Sequence, residues 1–117
     1  MHDITYAQEI VKVVLEKAEK PPSEIKNVKI TVGKLLLLDS ENLGFWVGEL
    51  LKEKEISAEI LVNTSNPELR CGCGFEGEVD FEELGHMTYL IGCPKCNRRD
   101  VEMIRGKQVT IDEITYR

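Results

Sequence analysis

Two close pairs of cysteines constrain this 117-residue chain more than any other feature of its sequence. One residue separates Cys71 from Cys73, two separate Cys93 from Cys96, and 19 residues lie between the pairs. This spacing is typical of one zinc ion held by four thiolates, with each pair on a tight turn. The polar opening MHDITYAQEI lacks a signal-peptide pattern, so we expect a cytoplasmic protein with reduced thiols. Metal ligation is therefore favoured over disulfides.

The first cysteine pair is unusual because its spacer is a single residue. Two sulfurs on a tetrahedral zinc lie about 3.8 Å apart, since each Zn–S bond is about 2.3 Å. A one-residue spacer reaches that separation in fewer backbone conformations, and Gly72 and Gly74 supply the required freedom. Two alternatives remain open: His86 replaces Cys71 or Cys73, or the region binds no zinc. Four thiolates leave no open coordination position, so we predict a structural zinc.

Hydrophobic periodicity predicts an α+β fold around the cysteine region. A stripe of apolar residues over 4–19 predicts a helix with Asp3 as its N-cap, and Asp39-Ser40 caps a second helix. Alternating patterns predict strands at 26–33, 58–64 and 108–117. We expect two helices packed on a small three-stranded sheet, built from 1–69 plus 106–117. The region 70–105 is predicted to be an inserted zinc-ribbon domain, because it has too few aliphatic residues to fold without a metal.

Charge and motif content disfavour several classes of function. The chain carries 21 acidic and 15 basic residues, a net charge of -6, which disfavours nucleic acid and anionic membranes as partners. A run of about 20 apolar residues, as a membrane span requires, is absent from the sequence. It also contains no glycine-rich phosphate loop and supports no hydrolytic triad. We therefore predict a protein that is not an enzyme.

The first residues suggest a second metal site. Processing favours small second residues, so Met1 before the large His2 is expected to be retained. The Met1 amine, the His2 amide nitrogen and the His2 imidazole could then chelate one ion through adjacent rings. Nitrogen-rich tetragonal coordination suits Ni(II) and Cu(II).

These residues, taken in order, resemble one family along the whole chain. The opening Met1-His2-Asp3, the strand VKITVGKL, the segment with Glu41, Leu43 and Phe45, and Cys93-Pro-Lys-Cys96 are similar to those of the HypA/HybF hydrogenase and urease nickel-incorporation proteins. The resemblance implies a nickel site at the Met1 amine, at the His2 imidazole and backbone nitrogen, and in the Asp3 region. It implies a structural Zn(II) and Ni(II) as transported cargo.

The resemblance also implies partners: a HypB-type GTPase and the large subunit of [NiFe]-hydrogenase, which receives the nickel. We expect a monomer or weak homodimer. Two departures stand out, since the family usually has Glu where this chain has Asp3, and two spacer residues where it has Gly72 alone. The competing hypotheses are a zinc-ribbon adaptor that binds a protein partner, which gives His2 no role, and a thiol-redox or rubredoxin-like carrier.

Overall fold

Within the described part of the chain there are two α-helices and six strands, with two short 3-10 turns at Pro22–Glu24 and Lys34–Leu36. The computed structural model describes residues 2–80, 92–98 and 100–117, with the backbone alone for His2. In chain order the elements are α1 (His2–Lys17), β1 (Ile25–Gly33), α2 (Ser40–Glu53), β2 (Glu59–Ser65), β3 (Glu68–Arg70), β4 (Glu76–Glu78), β5 (Glu102–Arg105) and β6 (Val109–Tyr116). Among the described residues, no helix has the length and apolar character needed to cross a membrane.

These elements divide between two units, of which the first consists of Met1–Val32, Leu38–Asn63 and Val109–Arg117. Helices α1 and α2 pack on each other within this unit. The predicted helical stripe is confirmed in α1, where Ala7, Ile10, Val11 and Val14 are buried. The buried side chains of α2 recur every four residues, at Leu43, Val47 and Leu51.

The starts of the two helices differ from each other. Asp39 caps α2 as predicted: its backbone is extended, and its carboxylate accepts a hydrogen bond of 3.1 Å from the Asn42 N–H. The prediction of Asp3 as the N-cap of α1 is wrong, because α1 begins at His2 and Asp3 lies inside the first turn. A carboxylate is favourable there too, since the helix dipole attracts negative charge to that end.

The sheet of this unit has the strand order β2-β1-β6, which confirms the three predicted strands. Strands β1 and β6 are antiparallel, and aliphatic pairs face each other across them: Val28 and Ile114, Ile30 and Ile111, Val32 and Val109. All three β1 members of these pairs are buried, whereas Lys29 between them is exposed. The alternation read from the sequence is therefore the alternation between the two faces of the sheet.

The second unit comprises Gly33–Leu37 and Thr64–Gln108, so the predicted limits of 70 and 105 fall inside it. Its sheet has the order β4-β3-β5 and is antiparallel throughout. On its exposed side, Arg70 of β3 bridges Glu76 of β4 at 2.9 Å and Glu102 of β5 at 3.1 Å. Exposed ion pairs of this kind contribute at most about 1 kcal/mol each.

Two glycines of this unit, Gly33 and Gly106, lie in close backbone contact. The Gly33 N–H donates to the Gln108 carbonyl at 2.8 Å, and the Leu35 N–H donates to the Gly106 carbonyl at 3.0 Å. A Cβ atom added to Gly33 would lie only 2.1 Å from the Gly106 oxygen. Gly106 itself has a φ of 124°, a conformation that favours glycine. The two backbone segments can approach this closely only because neither Gly33 nor Gly106 has a side chain.

Candidate metal centres

The first cysteine pair lies on a tight turn directly after β3. The Cys71 N–H donates to the Phe75 carbonyl at 2.8 Å, and the Gly74 N–H donates to the Cys71 carbonyl at 3.0 Å. Gly74 has a φ of 106°, in the region that L-residues avoid. This left-handed glycine lets the chain reverse within the turn, so that the thiols of Cys71 and Cys73 project to the same side.

The second pair lies on a similar turn before β5. The Asn97 N–H donates to the Cys93 carbonyl at 2.8 Å, and the Cys93 N–H donates to the Arg98 carbonyl at 2.8 Å. Asn97 has a φ of 64°, a left-handed conformation that asparagine tolerates. The Lys95 N–H also points at the Cys93 sulfur, 3.4 Å away.

The two turns bring all four sulfur atoms together. The Sγ atoms of Cys71 and Cys96 lie 3.5 Å apart, those of Cys73 and Cys93 lie 3.6 Å apart, and all four fall within 4.8 Å of one another. Tetrahedral zinc requires about 3.8 Å between sulfurs, so the cluster fits this ion. The one-residue spacer at Gly72 is therefore compatible with four convergent thiols. His86, the alternative ligand, lies outside the described residues.

The thiols of this cluster are not equivalent in their acidity. A backbone hydrogen bond at Phe75, assisted by hydrogen bonds from the other three cysteines, lowers the pKa of Cys73 from 9.0 to about 7. A backbone hydrogen bond at Arg98 acts in the same direction on Cys96. Desolvation and the hydrogen bonds with the neighbouring thiols outweigh it and raise the pKa of Cys96 to about 12. One thiolate suppresses the ionisation of its neighbours, so zinc binding must displace protons.

The surroundings of the cluster indicate a structural role for the metal. Cys71 and Cys93 are buried, and the other buried apolar side chains among the described residues of this unit are Pro67, Leu69 and Val79. So small an apolar set needs a further constraint to hold one conformation. A zinc ion on four thiolates would tie the two turns together and offer no open position for a substrate.

The predicted nickel residues are described only in part. Met1 and the side chain of His2 lie outside the described residues, and the backbone of His2 begins α1. The Asp3 carboxylate is half-buried, and its Oδ2 atom accepts a hydrogen bond of 2.6 Å from the side-chain amide of Asn42 on α2. Asn42 was not among the site residues predicted from the sequence. Its contact with Asp3 joins residues 39 positions apart, and no local pattern signals such a contact.

The fold and the sulfur cluster together define a class of protein. It is a two-unit α+β protein in which helices and one sheet form the first unit, and a second small sheet carries a four-cysteine centre of the zinc-ribbon type. The class predicted from the sequence is confirmed.

Comparisons with known proteins identify the family. Residues 1–116 match the family model described as "Hydrogenase/urease nickel incorporation, metallochaperone, hypA". The hydrogenase maturation factor HypA of Methanothermobacter thermautotrophicus is 32% identical over 117 residues, covering 97% of this chain and 95% of that protein. HypA of Pelodictyon phaeoclathratiforme is 30% identical over 119 residues, with 98% and 95% covered. The chain belongs to the HypA family of nickel metallochaperones.

Solved structures agree on the fold. The solution structure of the Ni metallochaperone HypA from Helicobacter pylori matches with a TM-score of 0.69 and 16% identity, over 97% of this chain and 96% of that one. A second HypA solution structure matches with a TM-score of 0.65 and 18% identity. Family membership confirms the function predicted from the resemblance, a nickel metallochaperone in hydrogenase maturation with nickel as cargo and a zinc site.

Proposed function

We propose that this chain holds Ni(II) at Met1, His2 and Asp3 and delivers it, without catalysing a reaction, to the large subunit of [NiFe]-hydrogenase. The observation that carries the proposal is the match to the nickel-incorporation family from residue 1 onward. The amine of Met1 and the imidazole and backbone nitrogen of His2 supply nitrogen donors of the kind that Ni(II) prefers.

The position of the predicted site on α1 supports ligation by a backbone nitrogen. A backbone nitrogen must lose its proton to ligate Ni(II), and in the middle of a helix that loss would break a hydrogen bond. The first four N–H groups of a helix have no partner within it. Because α1 begins at His2, nickel can take the His2 and Asp3 nitrogens without breaking any hydrogen bond of the helix.

A site with few ligands also suits a protein that must release its cargo. Nitrogen donors arranged in one plane leave the axial coordination positions for a partner to fill, and the partner can then draw the ion away. We propose a HypB-type GTPase and the hydrogenase large subunit as those partners, and a monomer or weak homodimer as the acting form. We place the exchange in the cytoplasm, because four clustered free thiols suit a reducing compartment.

Nickel stoichiometry on purified protein tests the N-terminal site. We expect one Ni(II) per chain by calorimetry and elemental analysis for the unmodified protein. The His2→Ala variant and a variant with two glycines added before Met1 should both lose this ion, since the first removes the imidazole and the second moves the terminal amine out of chelating reach of His2. The matched control is His86→Ala, which removes the other histidine of the chain and should bind nickel normally. Equal binding by all four proteins would refute the proposed site.

We also propose that Cys71, Cys73, Cys93 and Cys96 are the zinc ligands. Zinc content measured on Cys73→Ala and His86→Ala separates this set from one that contains His86. We expect Cys73→Ala to lose zinc and His86→Ala to keep one equivalent. Retention by Cys73→Ala with loss by His86→Ala would establish the alternative set.

A further inference from the structure

One side chain links the first turns of the two helices. Asn42 belongs to the first turn of α2, and its backbone N–H donates to the carboxylate of Asp39, the N-cap of that helix. Its side-chain amide instead reaches α1 and donates to Asp3 Oδ2 at 2.6 Å. The single residue Asn42 therefore holds one carboxylate that starts its own helix and a second that lies beside the predicted nickel donors.

The two ends of this link differ in how firmly they are held. The α2 end is fixed by the Asp39 cap and by Leu43, the next residue, which is fully buried. The α1 end is the first turn of a helix, and helix ends fray because their N–H groups lack intrahelical partners. The Asp3 side chain is half-buried and Asn42 is exposed. The hydrogen bond thus holds the first turn of α1, which is prone to fraying, against the first turn of α2, which is fixed by its cap and by Leu43.

We propose that Asn42 is a positioning residue for nickel binding, which holds the first turn of α1 in the conformation that presents the nickel donors. The inference rests on the proposed N-terminal nickel site. Asn42 does not contact the ion; it acts through Asp3, and the function of the Asp3 carboxylate is to accept this hydrogen bond. Donor atoms on an ordered turn bind more tightly because the cost of ordering them is already met.

Nickel affinity in a double-mutant cycle tests the link. Competition with a chromophoric chelator would be measured for the intact protein, Asn42→Ala, Asp3→Ala and the double variant. A hydrogen bond between partly exposed groups changes an equilibrium by about fivefold, so each single variant should bind nickel about fivefold more weakly. The double variant should be no weaker than either single variant. Asn63→Ala, an exposed asparagine on β2, should match the intact protein.

An exchange of the two groups separates positioning from direct ligation. Asn42→Asp alone places two carboxylates in contact and should weaken nickel binding more than Asn42→Ala. Combining it with Asp3→Asn re-forms the hydrogen bond in the opposite direction and should restore affinity to within about twofold. The visible ligand-field band of bound nickel should keep its wavelength in Asn42→Ala, since that residue is not a ligand.

Several outcomes would overturn the inference. These are unchanged affinity in Asn42→Ala, additive losses in the double variant, a shifted ligand-field band, or an exchange variant that stays weak. The result for His2→Ala distinguishes this failure from failure of the nickel site itself. If His2→Ala binds nickel normally, the site is elsewhere; if His2→Ala loses nickel while Asn42→Ala binds normally, only the positioning role is refuted.

Discussion

Of the possible glycine-to-alanine replacements at the described glycines, Gly33→Ala should destabilise this protein most. The new Cβ would lie 2.1 Å from the Gly106 oxygen, 2.2 Å from the Gly106 carbonyl carbon and 2.8 Å from the Lys107 nitrogen. All three are backbone atoms, so no side chain can rotate away. The Gly106 oxygen would have to move away by about 1.3 Å to reach an ordinary van der Waals distance, because Cβ atoms rarely come within 3.4 Å of another heavy atom.

The cost follows from what that retreat breaks. Overpacking of a rigid site costs about 1 to 3 kcal/mol. Moving the Gly106 carbonyl also breaks its hydrogen bond with the Leu35 N–H, a further loss of about 1 kcal/mol. We therefore expect the free energy of unfolding to fall by about 3 kcal/mol, a large part of the roughly 5–15 kcal/mol typical of natural domains.

Urea unfolding at constant zinc concentration is the appropriate assay. With a slope of about 1.5 kcal/mol per molar, Gly33→Ala should lower the unfolding midpoint by about 2 M. Gly77→Ala, in the same unit, is the matched control: its new Cβ would meet only a Phe75 ring atom at 3.7 Å. Gly48→Ala, inside α2, should raise stability by up to about 1 kcal/mol, since alanine is the better helix former. A Gly33→Ala midpoint equal to that of the intact protein would refute the packing argument.

Three further predictions follow from single residues. In metal-free protein whose two turns keep the cluster together, Cys73 should react with iodoacetamide with a midpoint near pH 7, because its lowered pKa populates the thiolate above that pH, while Cys96 should stay unreactive until far more alkaline pH. Mass spectrometry that gives both residues one pH profile would show that the turns do not hold this arrangement without the metal. Leu37→Gly should raise the free energy of unfolding in urea by about 1 kcal/mol. Leu37 has a left-handed φ of 57°, which glycine adopts at less cost, and its side chain is 69% exposed, so little packing is lost. A loss of stability would show that the Leu37 side chain packs against the fold. Asp39→Ala should cost about 1 kcal/mol through loss of the α2 cap, and Asp39→Asn, which keeps an acceptor, should cost little; equal losses would mean that the carboxylate charge matters rather than the cap.

The parts of the fold that depend on local pattern could be predicted from the sequence. The recurrence of Leu43, Val47 and Leu51 every four residues places one face of α2 inside, and the alternation around Lys29 does the same for β1. Phe45 on the same helix is 57% exposed, and its ring makes an edge-to-face contact with Trp46. Two positions from Leu43 correspond to about 200° around a helix, so Phe45 lies on the outer face.

The cysteine cluster was predictable for a similar reason. Each cysteine pair lies on a local turn, and only the contact between the two turns is long-range. That contact was predictable because four thiols with this spacing usually bind one metal ion together. The Asp3 link could not be predicted, because it depends on how α1 and α2 pack. The contact of Gly33 with Gly106 depends in the same way on the approach of distant segments. Sequence periodicity gives no information on the distance between Asp3 and Asn42 or on that between Gly33 and Gly106.

The cysteine pairs also set where this protein can tolerate changes of length in the course of evolution. With a metal holding Cys73 and Cys93 at one point, the 19 residues between them form a closed loop. The entropy of closing a loop grows only logarithmically, and doubling its length costs about 0.6 kcal/mol. Lineages can therefore insert or delete residues between the pairs at little energetic cost, provided that the first cysteine turn, β4 and Val79 are left intact. An insertion within Cys71-Gly72-Cys73 would instead alter the turn that directs both thiols, so a change of length there is tolerated only where the new turn still brings both sulfurs to the metal.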